Sequence, residues 1–425
     1  MRYVEFPAKE SWSELLARPK VQSSATEEAV VRILNDVRDR GDEAIAELTQ
    51  KIDGVQLDSF RVTPAEIAAA REQIKPDLKL AIRIASENIR RFHKHVVCPE
   101  DSMETMPGIR CWRRSVPIDR VGLYIPGGTA PLFSTVLMLA IPAVIAGCKQ
   151  IVLCTPPAKD GSVHPAILYA ANECGVTEIF KVGGAQAIGA MRYGTQTIPA
   201  VAKIFGPGNS WVTMAKQLIA KDGFPIDIPA GPSELAVFAD ESSNASFVAA
   251  DLLSQAEHGP DSQVVLVSTS KRMIDEVKIQ LDVQLSTLIR NDYAAKSLES
   301  SVAVLVQTPE EGIELLNAYA PEHLILACNR AELLSNRVVN AGSVFIGPWS
   351  PESAGDYATG TNHTLPTNGS AKGWSGVSVD SFVKKITFQQ LTREGLSQIA
   401  GTVETMAQAE GLQAHARAVT IRMKK

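Results

Sequence analysis

Paired cysteines are missing from this chain. Its six thiols, Cys98, Cys111, Cys148, Cys154, Cys174 and Cys328, have no Cys-x-x-Cys spacing and stand mostly in apolar runs. That pattern excludes a thiolate metal cage and reads as reduced core thiols of a cytoplasmic protein. A charge of one sign is missing too. The net charge is −5 with no long basic run, so the attraction that nucleic acid or anionic lipid demands is absent and a small-molecule partner is favoured. The opening MRYVEFPAKESW is too acidic and too poor in apolar residues for a secretory signal. The run STVLMLAIPAVIAG (134–147) is too short and too broken by proline to cross a bilayer. There is no short internal repeat, no low-complexity tract and no G-x-G-x-x-G.

What is present is apolar residue in quantity: 45% of 425 residues, enough for several cores. The first hundred residues have helical spacing. Thr26 is expected to cap a helix carrying Val30, Ile33, Leu34 and Val37, and Thr63-Pro64 opens another in the favoured cap-then-proline order. From Val121 the pattern changes to short apolar runs, VGLYIP, QIVLCTP, EIFKVGG and AKIFGPG, about thirty residues apart with amphipathic stretches between them. That rhythm predicts βαβ units and a parallel sheet. A second series follows, SELAVFAD, SQVVLVST, VAVLVQ, HLILAC and SVFIG, and predicts a second. After about Lys372 the residues read as helical only. The expected fold class is α/β: two Rossmann-like domains with an incomplete dinucleotide fingerprint, plus small N-terminal and C-terminal helical extensions. The expected division is 1–22 as an N-terminal extension, 23–122 with 235–373 as one α/β domain, 123–234 as the other, and 374–425 as a C-terminal helical extension.

Polar residues gather at a few points. In SQAEHGPDSQ (254–263), Gln255 and His258 are three apart near the end of a helical pattern and share one face. There they can hold a cation favoured by the negative end of the helix dipole, or simply satisfy the helix's own carbonyls. SPESAGDYATGTNHTLPT (350–367) places Asp356 and His363 in a stretch too rich in Gly, Ser, Thr and Pro for a core element, so it reads as an ordered loop, with Asp356 a candidate anionic ligand. His415, five residues after Glu410, is a candidate fourth ligand or a solvated surface histidine. In YAPEHLIL, Glu322 and His323 are adjacent at a strand entry and can divide acid and base work, or form a salt-bridged strand start. VGGAQAIGA, FGPGNSW and YIPGGTAP each follow a strand and lead towards a helix, as phosphate-cradling turns do and as ordinary tight turns also do.

Seven stretches together, VGLYIPGGTAPLFSTVLMLAIPA, VGGAQAIGA, KIFGPGN, IDIPAGPSE, DLLSQAEHGPDSQ, YAPEHL and SPESAGDYATGTNHTLPT, resemble the histidinol dehydrogenase family, from about residue 24 to the C-terminus and in the family's order. The resemblance implies a homodimeric enzyme with one Zn²⁺ per subunit. It would oxidise L-histidinol through L-histidinal to L-histidine with two NAD⁺, the last two steps of histidine biosynthesis. It implies Gln255, His258, Asp356 and His415 as metal ligands, His415 coming from the partner subunit, and Glu322 and His323 as the acid/base pair. Ser233, His363 and Glu410 would touch the substrate, as would Gln255, His258, His323, Asp356 and His415. Tyr124, Gln186 and Asn209 would touch NAD, which places the dinucleotide in 123–234 and the metal and acid/base residues in the other α/β domain. The alternatives are a related dehydrogenase of another polar alcohol, a zinc hydrolase using the same groups to activate water, and a non-catalytic metal-binding protein.

Overall fold

The computed structural model describes residues 1–19, 24–97, 101–127, 131–228 and 231–424. Cys98, residues 128–130 of the YIPGGTAP turn, Pro229 and Ala230 of IDIPAGPSE, and the expected boundary at 22–23 lie outside them.

Thirteen strands are formed among the described residues: β1 (Arg2–Glu5), β2 (Ser102–Met106), β3 (Ile109–Pro117), β4 (Arg120–Tyr124), β5 (Gln150–Thr155), β6 (Glu178–Lys181), β7 (Lys203–Phe205), β8 (Glu234–Ala239), β9 (Gln263–Ser268), β10 (Val302–Leu305), β11 (His323–Ala327), β12 (Ser343–Ile346) and β13 (Val383–Leu391). They build three sheets. One is six-stranded and parallel, in the order β1-β10-β9-β8-β11-β12. A second, β6-β5-β4-β7, is four-stranded and also parallel. A third, β13-β3-β2, is antiparallel. The protein is therefore α/β, as the strand rhythm predicts.

Both parallel sheets are buried on two faces, which explains their continuous apolar runs. In β8 the period of two is plain: Leu235, Val237 and Ala239 face a core shared with helix Ala245–Ala256, while Ala236 and Phe238 face another shared with Trp12, Leu15 and Leu316. The four-stranded sheet is covered by the N-terminal helices. Val30, Leu34 and Ile45 pack on one side with Tyr124 and Val152, and Ile74, Ile82 and Ile89 pack on the other with Leu123 and Leu153.

Three local expectations change. Thr26 is not a cap, because its helix starts at Ser24 and runs to Arg40. The Thr63 cap forms fully: Glu66 N–H donates to Thr63 Oγ1 at 3.2 Å, and Thr63 N–H donates to Glu66 Oε2 at 2.8 Å. The N-terminal stretch is more than an extension, since β1 completes the edge of the six-stranded sheet. The C-terminal stretch is not purely helical. Its VKKITFQQL forms β13 against β3, before helices Arg393–Ala409 and Gln413–Met423. Those helices pack on each other and bury little, with Ala407 and Ala416 covered while Met406, Leu412 and Ile421 are exposed. Among the described residues no helix is long and apolar enough to cross a membrane, and Cys111, Cys148, Cys154, Cys174 and Cys328 are free thiols.

Candidate active site

In the six-stranded sheet the chain leaves β8 in both directions, to β9 and β10 on one side and to β11 and β12 on the other. The polar residues gather at the amino ends of β8 and β11. Helix Pro309–Tyr319 stops at Ala320, which takes a left-handed φ of +53°, and the chain then turns into β11. Glu322 precedes the strand and His323 is its first residue, so two adjacent side chains reach one place at a strand end. Both are buried. Glu322 Oε2 accepts the backbone N–H of Glu234 at 3.0 Å, and His323 Nδ1 stands 3.3 Å from the carbonyl of the same residue.

Helix Ala245–Ala256 starts beyond the far end of β8 and returns along the sheet, bringing its negative end to this edge. Gln255 lies in its last turn, fully buried, and neither amide atom has a hydrogen-bond partner among the described residues. His258 sits in the turn just after the helix, its N–H donated to Gln255 O at 3.2 Å. Opposite, the stretch expected to be loop forms a short helix, Glu352–Tyr357, which sets Glu352 and Asp356 one turn apart on one face. A nitrogen of His258 and carboxylate oxygens of Glu352 and Asp356 lie within 4.8 Å of one another.

His323 joins these groups. Its Nδ1 lies 3.6 Å from Glu352 Oε1 and 3.8 Å from Glu322 Oε2, and its Nε2 lies 3.5 Å from Asp356 Oδ1. Burial alone lowers the imidazole's pKa, but the three carboxylates outweigh it and raise it to about 10. Burial pushes Glu322 up to about 8 and Glu352 to about 7. Burial works against ionised Asp356 as well, yet the hydrogen bond and charge of His323, with His363 and His258 nearby, hold it below the usual carboxylate range. Buried Glu322 and Glu352 and part-buried Asp356 surround one strongly basic imidazole, and a divalent cation would favour the ionised carboxylates that burial disfavours. Histidine nitrogen and carboxylate oxygen are donors that zinc accepts, and the unpartnered Gln255 amide adds an oxygen on the same helix end. The residues fit such an ion.

A second polar site lies at the carboxyl ends of the four-stranded sheet. The chain leaves β4 for β5 and β6 on one side and later adds β7 on the other, the crossover where open α/β sheets bind nucleotides. Tyr124 ends β4 and accepts the Gly184 N–H on its hydroxyl at 3.1 Å. Gln186 is fully buried in the first turn of helix Gly184–Tyr193, and neither amide atom has a hydrogen-bond partner among the described residues. Asn209 follows β7 and caps helix Ser210–Lys221, its Oδ1 accepting the N–H groups of Trp211 and Val212 at 3.1 Å. Unpartnered amide atoms beside two helix starts fit a dinucleotide.

The family model described as histidinol dehydrogenase matches residues 16–423. A histidinol dehydrogenase of Bacteroides fragilis is 55% identical over 425 residues, covering 100% of this chain and 99% of its own. One of Xylella fastidiosa is 50% identical over 413 residues, covering 97% and 96%. The crystal structure of histidinol dehydrogenase from Elizabethkingia anophelis superposes with a TM-score of 0.97 at 48% identity, covering 100% of this chain and 98% of that one. The chain belongs to the histidinol dehydrogenase family.

As a histidinol dehydrogenase family member it is an NAD-dependent oxidoreductase. Of the residues expected at its centre, the structure brings together Glu322, His323, His258 and Asp356. His363 is there too, its Nδ1 3.0 Å from Asp356 O and its Nε2 3.0 Å from Thr135 Oγ1. Ser233 directly precedes Glu234 at the start of β8 and is half-buried. Glu410 and His415 are exposed on the C-terminal helix pair, and His415 is not among the grouped ligand atoms. Glu352 is the residue that sequence reasoning passed over. Its signal was the Glu-x-x-x-Asp spacing behind Pro351, a helix start hidden by the small residues around it.

Proposed function

We propose that this chain oxidises L-histidinol through L-histidinal to L-histidine, reducing two NAD⁺ per turnover and closing histidine biosynthesis. The observation that carries the reading is the meeting of Glu322 and His323 with His258, Glu352 and Asp356 at one sheet edge, in a chain of this family. Gln255, His258 and Asp356 are the proposed zinc ligands of each subunit, with His415 supplied by a second copy. The exposed apolar residues of the C-terminal pair, Met406, Leu412 and Ile421, support such a homodimer, and Glu410 would reach the substrate by the same route. We propose that the six-stranded sheet carries the metal and acid/base residues and that the four-stranded sheet receives NAD at Tyr124, Gln186 and Asn209. A cytoplasmic enzyme agrees with the free thiols.

When bound, zinc would orient the substrate and relax the carboxylates' hold on His323, and NAD would accept hydride from the carbon. The chain's residues handle the protons. His323 takes the hydroxyl proton as the alcohol is oxidised. Glu322, whose pKa burial raises to about 8, would activate the water that adds to the aldehyde. Once that first proton has passed to solvent, His323 takes a proton from the hydrated aldehyde in the second oxidation. Ser233 and His363 are the further proposed substrate contacts. The test is a stoichiometry: histidinol and excess NAD⁺ should give two NADH per histidine, and one NADH per product would remove the reading.

A further inference from the structure

Beneath the turn that follows β7, a lysine and an aspartate are buried together. Lys216, in helix Ser210–Lys221, and Asp227 have side chains 3% and 0% exposed and pair at 2.5 Å. Both also grip one glycine. Asp227 Oδ2 accepts the Gly206 N–H at 2.7 Å, and Lys216 Nζ donates to the Gly206 carbonyl at 2.8 Å. Gly206 takes a φ of +127°, and a Cβ there would stand 2.1 Å from the carbonyl oxygen of Tyr124. The chain thus passes directly over the carboxyl end of β4, as only glycine permits. Three residues on it reaches Asn209.

Stability alone does not account for this pair. Desolvating an ammonium and a carboxylate costs several kcal/mol each, and apolar side chains of like volume often support a fold as well or better. What apolar groups cannot do is hold the N–H and the carbonyl of one residue in fixed directions. We infer that Lys216 and Asp227 are positioning residues for the dinucleotide: by clamping Gly206 they set the 206–209 turn against Tyr124, and with it the place of Asn209. The inference rests on the reading of Tyr124, Gln186 and Asn209 as NAD contacts. The pair acts through the backbone and touches neither substrate nor cofactor.

The test reads NAD affinity directly, by calorimetry on the metal-loaded protein, beside KM values for both substrates and the melting temperature. The double variant Lys216→Met/Asp227→Leu removes both peptide hydrogen bonds without stranding a charge. It is expected to keep a melting temperature within a few degrees of the parent, to weaken NAD binding tenfold or more, and to leave the histidinol KM within twofold. Asp227→Asn is the converse. Its amide oxygen still accepts from Gly206, so NAD affinity stays within about threefold, while the unbalanced lysine lowers the melting temperature. NAD affinity unchanged in the double variant overturns the inference. So does an affinity that falls in step with stability in Asp227→Asn, which remains decisive even where the double variant does not fold. Gln186→Ala and Asn209→Ala separate the two levels. If they leave NAD binding unchanged, the NAD subsite itself is misplaced; if they weaken it and the double variant does not, only the clamp fails.

Discussion

The carboxylate of Glu322 accepts the backbone N–H of Glu234 at 3.0 Å, and the carbonyl of Glu234 faces His323 Nδ1 at 3.3 Å. One residue of β8 therefore orients both members of the acid/base pair on β11. Glu322→Gln keeps an acceptor for that N–H but cannot take a proton. The alcohol step should run near the parent rate, while oxidation of added histidinal falls roughly a hundredfold, the scale of a lost general base. Separate rates on the two substrates check this, and equal loss on both would reassign Glu322.

Glu234 is itself held. Arg18 donates from Nε and Nη2 to its carboxylate at 2.5 and 2.8 Å, and from Nη2 to the Tyr319 carbonyl at 2.7 Å, just ahead of the turn into Glu322. The guanidinium also lies 4.1 Å from the Tyr319 ring centre. Arg18→Met strands a buried carboxylate and should cost about 3 kcal/mol in chemical denaturation. It should also lower kcat while leaving the KM for NAD unchanged, whereas Arg18→Lys should recover part of the stability. A variant with parental kcat would show that the pair stands without this tie.

The local elements are legible in the amino-acid sequence. The short apolar runs SELAVFAD and SQVVLVST give parallel strands with covered faces, and Thr63-Pro64 gives a helix start. What the sequence hides is non-local. VKKITFQQL reads as helix until β3 is present to pair with it, and RYVE reads as a tail until β10 lies beside it. The site follows the same rule. Glu322 and His323 stand out as an unusual neighbouring pair, but Glu352 acquires meaning only when its short helix faces His258 across the sheet edge.

Chelation separates the two sites. Removing the metal should abolish detectable histidinol binding while changing NAD affinity less than threefold, because His258 and Asp356 lie at the amino edge of one sheet and Tyr124 at the carboxyl edge of the other. Glu352→Gln should lower zinc content or histidinol affinity at least tenfold, since it removes a carboxylate from the crowded set. Metal analysis and calorimetry on the same samples decide, and equal loss of both ligands would merge the sites into one.

Sharing of His415 between copies has an arithmetic signature. Chains carrying His258→Asn and chains carrying His415→Asn should each be inactive. Unfolded together and refolded, random pairing puts half the dimers in mixed form with one intact site of two, so about one quarter of parental activity should return. If each chain furnishes its own His415, nothing returns.

His93 gives the protein an acid limit unconnected with catalysis. It is 1% exposed in helix Pro76–His95, and neither ring nitrogen has a hydrogen-bond partner among the described residues. Burial lowers its pKa from 6.5 to about 4, so between those values the unfolded chain binds the proton that the folded chain refuses. The stability this histidine leaves intact above about pH 6.5 is lost progressively as the pH falls towards 4, and at pH 5 the loss is about 2 kcal/mol. His93→Phe keeps a ring of similar size beside Phe92, whose centre is 5.4 Å away, and has nothing to protonate. Its melting temperature should exceed the parent's by a margin that widens from pH 7.5 to pH 5. A margin constant across that range would mean that His93 keeps an ordinary pKa and that the acid sensitivity lies in the carboxylate cluster.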